Sequence, residues 1–316
     1  MLTKAKSKKV PKFILTLDAS QIQAFMTCPL QWYYKYKQNL ILNTEHKPAP
    51  DKGHLVHSLL AFYYGLCAIM PNENRLIHAN AAIIKFKESK ETLKLFPTDT
   101  NFELEDFICQ RFLLYVQRYL NDDFNPLAIN NAESVEVGFS YLLHEDAKVK
   151  FILEGRIDLI TKLQDNILCF IDHKTQSRDS SLYHYTPQFK TYALVTGYEY
   201  GIINYFGMQE DKTNNLLKTN KLFRRDLIHF NKNLIEEWRI KLIQTFYNVR
   251  NILANSNNNS NTNELSLIYI RNDSACAGAF NSNPCSFVDL CEEPNFELKQ
   301  KVKEFKFTKG EKWTPW

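Results

Sequence analysis

The stretch GRIDLITKLQDNILCFIDHKT, Gly155 to Thr175, decides the reading of this chain. It consists of two apolar runs around the polar turn Gln164-Asp165-Asn166, the pattern of a β-hairpin. Within it stand Asp158, Asp172 and Lys174. Ionised groups among apolar neighbours are costly unless something compensates them. Asp158 lies as far before Asp165 as Asp172 lies after it, so a turn centred on Asp165 sets the two acids opposite each other. Facing Cβ atoms in such a pair are about 4.5–5.5 Å apart. Lys174, two positions beyond Asp172, leaves the same face.

Two carboxylates at that separation raise each other's pKa, and Ile157, Leu159, Leu168, Phe170 and Ile171 keep the surroundings apolar. A divalent cation between them removes the conflict, and hard oxygen ligands suit Mg²⁺ or Mn²⁺. Lys174 beside that ion can orient or deprotonate a water, or stabilise charge on a phosphate, which is the equipment of phosphodiester hydrolysis.

Outward from the hairpin, residues 133–143 and 149–161 read as strands, 167–174 as the hairpin's second strand, 187–196 as a helix, and 200–208 and 221–230 as strands. Asn231 caps a long helix to about Leu253, with Ile235, Trp238, Leu242, Phe246, Val249 and Ile252 along one face. Upstream, Ser20 with Gln23 fits a capping box, and LQWYYKY continues as a second helical piece. Helical patterns cover 53–70, ended by Pro71, then 76–91 and 102–120. The stretch NSNNNSNTN, 255–263, has no apolar side chain to bury and reads as a mobile loop. The expected organisation is a mainly helical region over 1–125 carrying Cys28 and His57, an α/β core over 126–254, the Asn-rich loop, and a tail over 264–316 that packs back on the N-terminal region.

The chain has 316 residues, 44% hydrophobic and 13% aromatic, enough for a sizeable core. A net charge of +4 permits a polyanionic partner without requiring one. No apolar run approaches the ~18 residues of a membrane span. The basic start MLTKAKSKKVPKF has no following apolar run, so a secretory signal is not expected and a reducing cytoplasm is, in a prokaryotic cell or a virus-infected host.

The ordered motifs resemble those of the PD-(D/E)XK nuclease superfamily, and within it the branch of the RecB nuclease domain, the AddB C-terminal nuclease and the Cas4 exonucleases. That branch carries G-x-x-x-H, G-x-x-D, D-x-K and Q-x-x-x-Y in this order. Here they read Gly53-His-Leu-Val-His57, Gly155-Arg-Ile-Asp158, Asp172-His-Lys174 and Gln188-Phe-Lys-Thr-Tyr192. The resemblance implies a restriction-endonuclease-like α/β core, a mixed central sheet flanked by helices. It implies that His57, Asp158, Asp172 and the backbone carbonyl of His173 hold Mg²⁺ or Mn²⁺, that Lys174 is the catalytic lysine, and that Gln188 and Tyr192 position the substrate strand.

Cys276, Cys285 and Cys291 crowd into RNDSACAGAFNSNPCSFVDLCEEP, a density that points to metal ligation in a reducing compartment. Cys28, in TCPLQWYY, is the candidate fourth ligand. The branch named above has one early cysteine followed by Pro and three late ones, all on a [4Fe–4S] cluster. The gap from Cys276 to Cys285 is longer here than in its close members. A structural Zn²⁺ on the same four residues is the competing occupant. Either would clip the first helix to the tail. Cys67, Cys109 and Cys169 sit within apolar periodicity and read as core.

The function expected is a metal-dependent DNA exonuclease acting on single-stranded or frayed ends, in recombination and repair, phage DNA processing or CRISPR adaptation. No Walker A sequence occurs, so unwinding falls to a helicase, recombination or CRISPR partner protein. The alternatives are a non-catalytic DNA-binding or assembly factor that keeps the fold, and a zinc-clipped structure-specific endonuclease. Trp32, Tyr33, Tyr34, Lys35, Lys37, Arg178, Lys190, Arg224 and Arg225 are candidates for contacting phosphates or bases.

Overall fold

The computed structural model describes residues 12–43, 48–89, 102–121, 124–129, 132–163, 166–176, 185–208, 222–258, 269–276 and 285–310. In chain order the main strands are β1 (Phe13–Leu17), β2 (Leu40–Leu42), β3 (Val135–Glu145), β4 (Val149–Lys162), β5 (Leu168–Gln176), β6 (Tyr200–Gly207), β7 (Phe223–His229) and β8 (Phe307–Lys309). The helices are α1 (Ala19–Thr27), α2 (Pro29–Trp32), α3 (Pro48–Ile69), α4 (Arg75–Glu88), α5 (Phe102–Arg118), α6 (Pro187–Thr196), α7 (Lys232–Asn258), α8 (Asp273–Cys276), α9 (Val288–Glu292) and α10 (Phe296–Lys306). This is a mixed α/β fold with helices flanking a mixed sheet, as the sequence implies.

The chain forms two compact units, each assembled from separated segments: 1–43, 139–155 and 236–316 in one, 44–138 and 156–235 in the other. Cys28 and His57, read from sequence as one N-terminal region, belong to different units.

In the unit of 44–138 and 156–235, the second half of β4 pairs antiparallel with β5, β5 parallel with β6, and β6 antiparallel with β7. The parallel β5–β6 pair needs a crossover, and α6 supplies it. Pro187 opens that helix, and Gly197, with φ 70, closes it in the left-handed conformation that favours glycine. One core joins α3, α4 and α5 to the sheet: Leu55, Leu59, Tyr63, Phe86, Phe112 and Tyr115 pack with Leu159, Ile171 and Phe206. On alternate positions Phe170 meets Phe189 and Tyr192 of α6, and Phe230. Asp172 shares that second facing with Phe170.

In the other unit, β1 runs parallel to the first half of β4, from Phe13↔Val149 to Leu17↔Leu153. Trp238, Leu242, Phe246 and Val249 of α7 are buried, and Phe151 of β4 lies against Phe246 and Tyr247. In the same unit β8 pairs antiparallel with β2, Phe307↔Leu42 to Lys309↔Leu40. Gly155 is required by close approach: a Cβ there would stand 2.7 Å from the Phe139 ring.

Three expectations change. The first helix is capped by Asp18, not Ser20. Asp18 Oδ1 accepts the Gln21 N–H at 2.8 Å and Gln21 Nε2 donates to Oδ2, a carboxylate N-cap two residues earlier. The helix α7 continues through Asn255 to Asn258: Asn and Ser lower helix propensity without stopping a helix as Pro does. Residues 259–263 of the expected loop lie outside the described residues. The strand β1, FILTL, is an addition to the reading from sequence. Among the described residues no helix is long and apolar enough to cross a membrane.

Candidate active site

The β4–β5 ladder pairs Lys162↔Leu168 through Leu159↔Ile171, the register of a hairpin centred on Asp165. One step further along the same register stand Asp158 and Asp172. At that step Asp158 Oδ2 takes the place of a strand partner and accepts the His173 N–H at 2.7 Å. The amide is satisfied by a side chain. Both acids are buried.

His57 comes from α3 and brings Nδ1 to 3.4 Å from Asp158 Oδ2. Gly53, one turn earlier, lies where a Cβ would be 3.1 Å from Thr175 Oγ1 of β5, so a small residue suits the approach of this helix to the strand. Glu136, at the start of β3, completes the group: ligand atoms of His57, Glu136 and Asp158 lie within 4.8 Å of one another. Glu136 has φ 52, a left-handed conformation that costs a non-glycine residue about 1–3 kcal/mol and recurs at functional sites. Its carboxylate pairs with Arg156, Nε to Oε2 at 2.6 Å.

Lys174 Nζ lies 2.6 Å from Asp172 Oδ2 and donates to Gln188 Oε1 at 3.0 Å. Gln188 Nε2 donates to Asp172 Oδ1 at 2.8 Å and to the Tyr192 hydroxyl at 2.9 Å. Tyr192 in turn donates to the Arg156 carbonyl at 2.6 Å. The helix α6 therefore fixes the lysine and the acid through one amide. Tyr192 is 5% exposed, so it orders Gln188 and offers no open surface of its own.

Behind the strand, the buried His173 ring stacks on Tyr64 and its Nδ1 meets Asn204 Nδ2 at 2.8 Å. Asn204 also donates to the Tyr115 hydroxyl and accepts from Arg225. This network holds the residue between Asp172 and Lys174 from the far side.

The electrostatics follow from crowding. Burial opposes the imidazolium of His57, yet the charge and hydrogen bond of Asp158, with Asp172 and Glu136 beyond, raise it to about 9. Burial raises Glu136 to about 7, the charge of Asp158 adding to it and Arg156 opposing. Burial raises Asp172 to about 6 against the pull of Lys174, and Asp158 contributes. Asp158 goes the other way: burial pushes it up, but His57 and His173 together hold it below the ordinary carboxylate range. Burial lowers the His173 imidazole to about 3, so it is neutral near pH 7. The donor set, one imidazole with hard carboxylate oxygens, fits Mg²⁺ or Mn²⁺. Asp172 Oδ2 is buried 2.6 Å from Lys174 Nζ, and a carboxylate oxygen with one cationic neighbour has a further lone pair to offer a metal.

In the other unit the four expected cysteines lie near enough to influence one another electrostatically. Burial raises Cys291 to about 12, and the neighbouring Cys285, Cys276 and Cys28 add to it. Cys276 and Cys285 are raised by burial, and Cys28 contributes to both. Cysteines ligate metals as thiolates. Asn272 N–H points to Cys28 Sγ at 3.5 Å and its Nδ2 donates to the Thr27 carbonyl at 2.8 Å. Cys285 N–H donates to the Cys276 carbonyl at 3.2 Å. Tyr34 packs on Phe287, which stacks on Phe307.

Of the other candidates for substrate contact, Trp32, Tyr33 and Tyr34 are buried. Arg224 pairs with Asp226 at 2.8 Å. Arg225 lies over Tyr119 and Phe124. Lys35 and Lys37 are exposed. Arg178 lies outside the described residues. Glu136 is the site residue that sequence reasoning missed. Its only trace is an acid inside the β-branched run VEV.

Residues 16–292 match the family model of the PD-(D/E)XK nuclease superfamily. The crystal structure of SSO0001 aligns with 14% sequence identity and a TM-score of 0.34, covering 77% of this chain and 79% of that one. No curated protein matches.

Proposed function

Because the chain belongs to the PD-(D/E)XK nuclease superfamily, we propose that it is a Mg²⁺- or Mn²⁺-dependent DNA exonuclease of the RecB and Cas4 type, acting on single-stranded or frayed ends. The observation that carries this reading is that Asp158 and Asp172 stand one step beyond the Leu159↔Ile171 pair, with Lys174 Nζ 2.6 Å from Asp172 and His57 of α3 3.4 Å from Asp158. In this reading His57, Asp158, Asp172 and the His173 carbonyl hold the ion. When bound, the ion supplies Lewis acidity toward a phosphate oxygen and the attacking water.

The chain's own residues do the rest. Asp172 and Gln188 hold Lys174 Nζ beside the acids, where it can orient the attacking water or neutralise charge growing on a phosphate oxygen. Tyr192 keeps the Gln188 amide turned so that its oxygen faces the lysine and its nitrogen faces Asp172. The buried network behind His173 keeps the strand carrying both groups in one position. Preorganised charge of this kind is the largest usual contribution to phosphoryl transfer.

We further propose that Cys28, Cys276, Cys285 and Cys291 hold a [4Fe–4S] cluster that clips the first helix to the tail, in support of the nuclease and outside its chemistry. A helicase or recombination partner would supply unwound ends to such a protein in the cytoplasm.

End-labelled single- and double-stranded DNA, incubated with and without Mn²⁺, tests the reading. Stepwise shortening that needs Mn²⁺ and vanishes in a folded Lys174→Ala variant is expected. Mn²⁺-dependent binding without cleavage would replace it with a non-catalytic DNA-binding role, and full activity in Lys174→Ala would reject the site.

A further inference from the structure

The pair Glu136–Arg156 has no place in the role assignments above. Glu136 belongs to the three-residue group with His57 and Asp158, and the same carboxylate pairs with Arg156 at 2.6 Å. Its left-handed backbone is held at this position, as expected where a conformation serves a site. Arg156 is two residues from Asp158, so both side chains leave the same facing of β4. The Arg156 side chain is 52% exposed and that of Glu136 26%. The Arg156 backbone is pinned separately, its carbonyl accepting from Tyr192. The side chain can therefore move without disturbing the strand.

A carboxylate oxygen set between an arginine and two cation ligands can be neutralised by either. Both neutralising groups carry positive charge and approach the same oxygen atoms, so each weakens the hold of the other. An arginine displaced from such an acid is an exposed, planar donor beside the acids. Its natural ligand is a phosphodiester oxygen.

We propose that Glu136 is a further ligand of the divalent cation, that Arg156 and the cation compete for it, and that cation binding turns the Arg156 guanidinium over to a phosphate of the DNA strand. The site then recruits substrate only when it is loaded. The inference rests on the cation reading given under Proposed function and adds Glu136 and Arg156 to it.

Titration calorimetry with Mn²⁺ alone tests the competition. Arg156→Ala tightens Mn²⁺ about two- to fivefold, the range of a partly exposed ion pair. Glu136→Gln loosens it about tenfold or more. In the double variant Arg156→Ala no longer tightens it, because the acid through which it acts is gone. An equal tightening in the Glu136→Gln background would show a general charge effect and overturn the competition. The second arm is fluorescence anisotropy of a labelled single-stranded oligonucleotide on the Lys174→Ala protein. Mn²⁺ strengthens oligonucleotide binding when Arg156 is present and not in Arg156→Ala; equal strengthening in both overturns the transfer to phosphate. Should Glu136→Gln fail to fold, the exposed Arg156→Ala still decides: unchanged or weaker Mn²⁺ binding refutes the proposal. A wild-type protein that binds no Mn²⁺ would overturn the cation reading itself.

Discussion

Cation binding at this site should release protons, in a number that changes with pH. The groups nearest the proposed ion hold protons unusually well: His57 to about 9, Glu136 to about 7 and Asp172 to about 6. A cation ligand must give up its proton. Near pH 6.5 these three groups together carry about two protons, and near pH 8 about one, the His57 proton. The sign follows: raising the pH removes the competing protons, so cation affinity rises, by about a hundredfold across that interval. Calorimetry of Mn²⁺ binding in two buffers of small and large ionisation enthalpy gives the proton count directly. A count that falls from about two to about one is expected. Heats independent of buffer at both pH values would refute the reasoning, because they would mean that the protonated groups are not the ones the cation displaces.

The remaining predictions concern the hairpin, the lysine and the cysteines. Gly155→Ala places a methyl 2.7 Å from the Phe139 ring and should cost about 1–3 kcal/mol; an unchanged urea midpoint would contradict the packing. Gln188→Ala frees Lys174 and Asp172 from their shared amide and should slow cleavage about ten- to a hundredfold with thermal stability nearly kept; cleavage at the wild-type rate would show that the lysine needs no such support. Cys28→Ser should abolish a brown absorbance near about 400 nm in the purified protein and lower its melting temperature, whereas a colourless wild type containing zinc would replace the cluster.

The hairpin was legible because two constraints agree in it. Apolar alternation sets which residues face together, and a polar turn centred on Asp165 sets the register, so Leu159↔Ile171 is the pairing expected. The helix α6 was legible to the residue, since Pro187 fixes its start and Gly197 its end. The long helix was legible at Asn231, whose Oδ1 accepts the Leu234 N–H, and not at its far end, where Asn and Ser carry no stop signal. Glu136 was hidden for a different reason. Its place depends on a left-handed turn of one residue inside a strand, which alternation reads as an ordinary surface position. Arg156 was hidden with it, because an arginine on a strand reads as a solvated charge until its partner is known. The interleaving of the two units was equally out of reach: segments 1–43, 139–155 and 236–316 join through pairings such as Phe13↔Val149 and Phe307↔Leu42, and no local pattern announces a partner so distant in sequence.

The central claim is that the acids at the mouth of this hairpin share a divalent ion. Anomalous diffraction from a crystal soaked in Mn²⁺ tests it most directly. The account predicts a manganese peak about 2.0–2.4 Å from a carboxylate oxygen of Asp158, with His57 and Asp172 or Glu136 in its coordination sphere. Manganese sites confined to other parts of the surface, with Asp158 still engaged by His57 and the His173 amide, would contradict it.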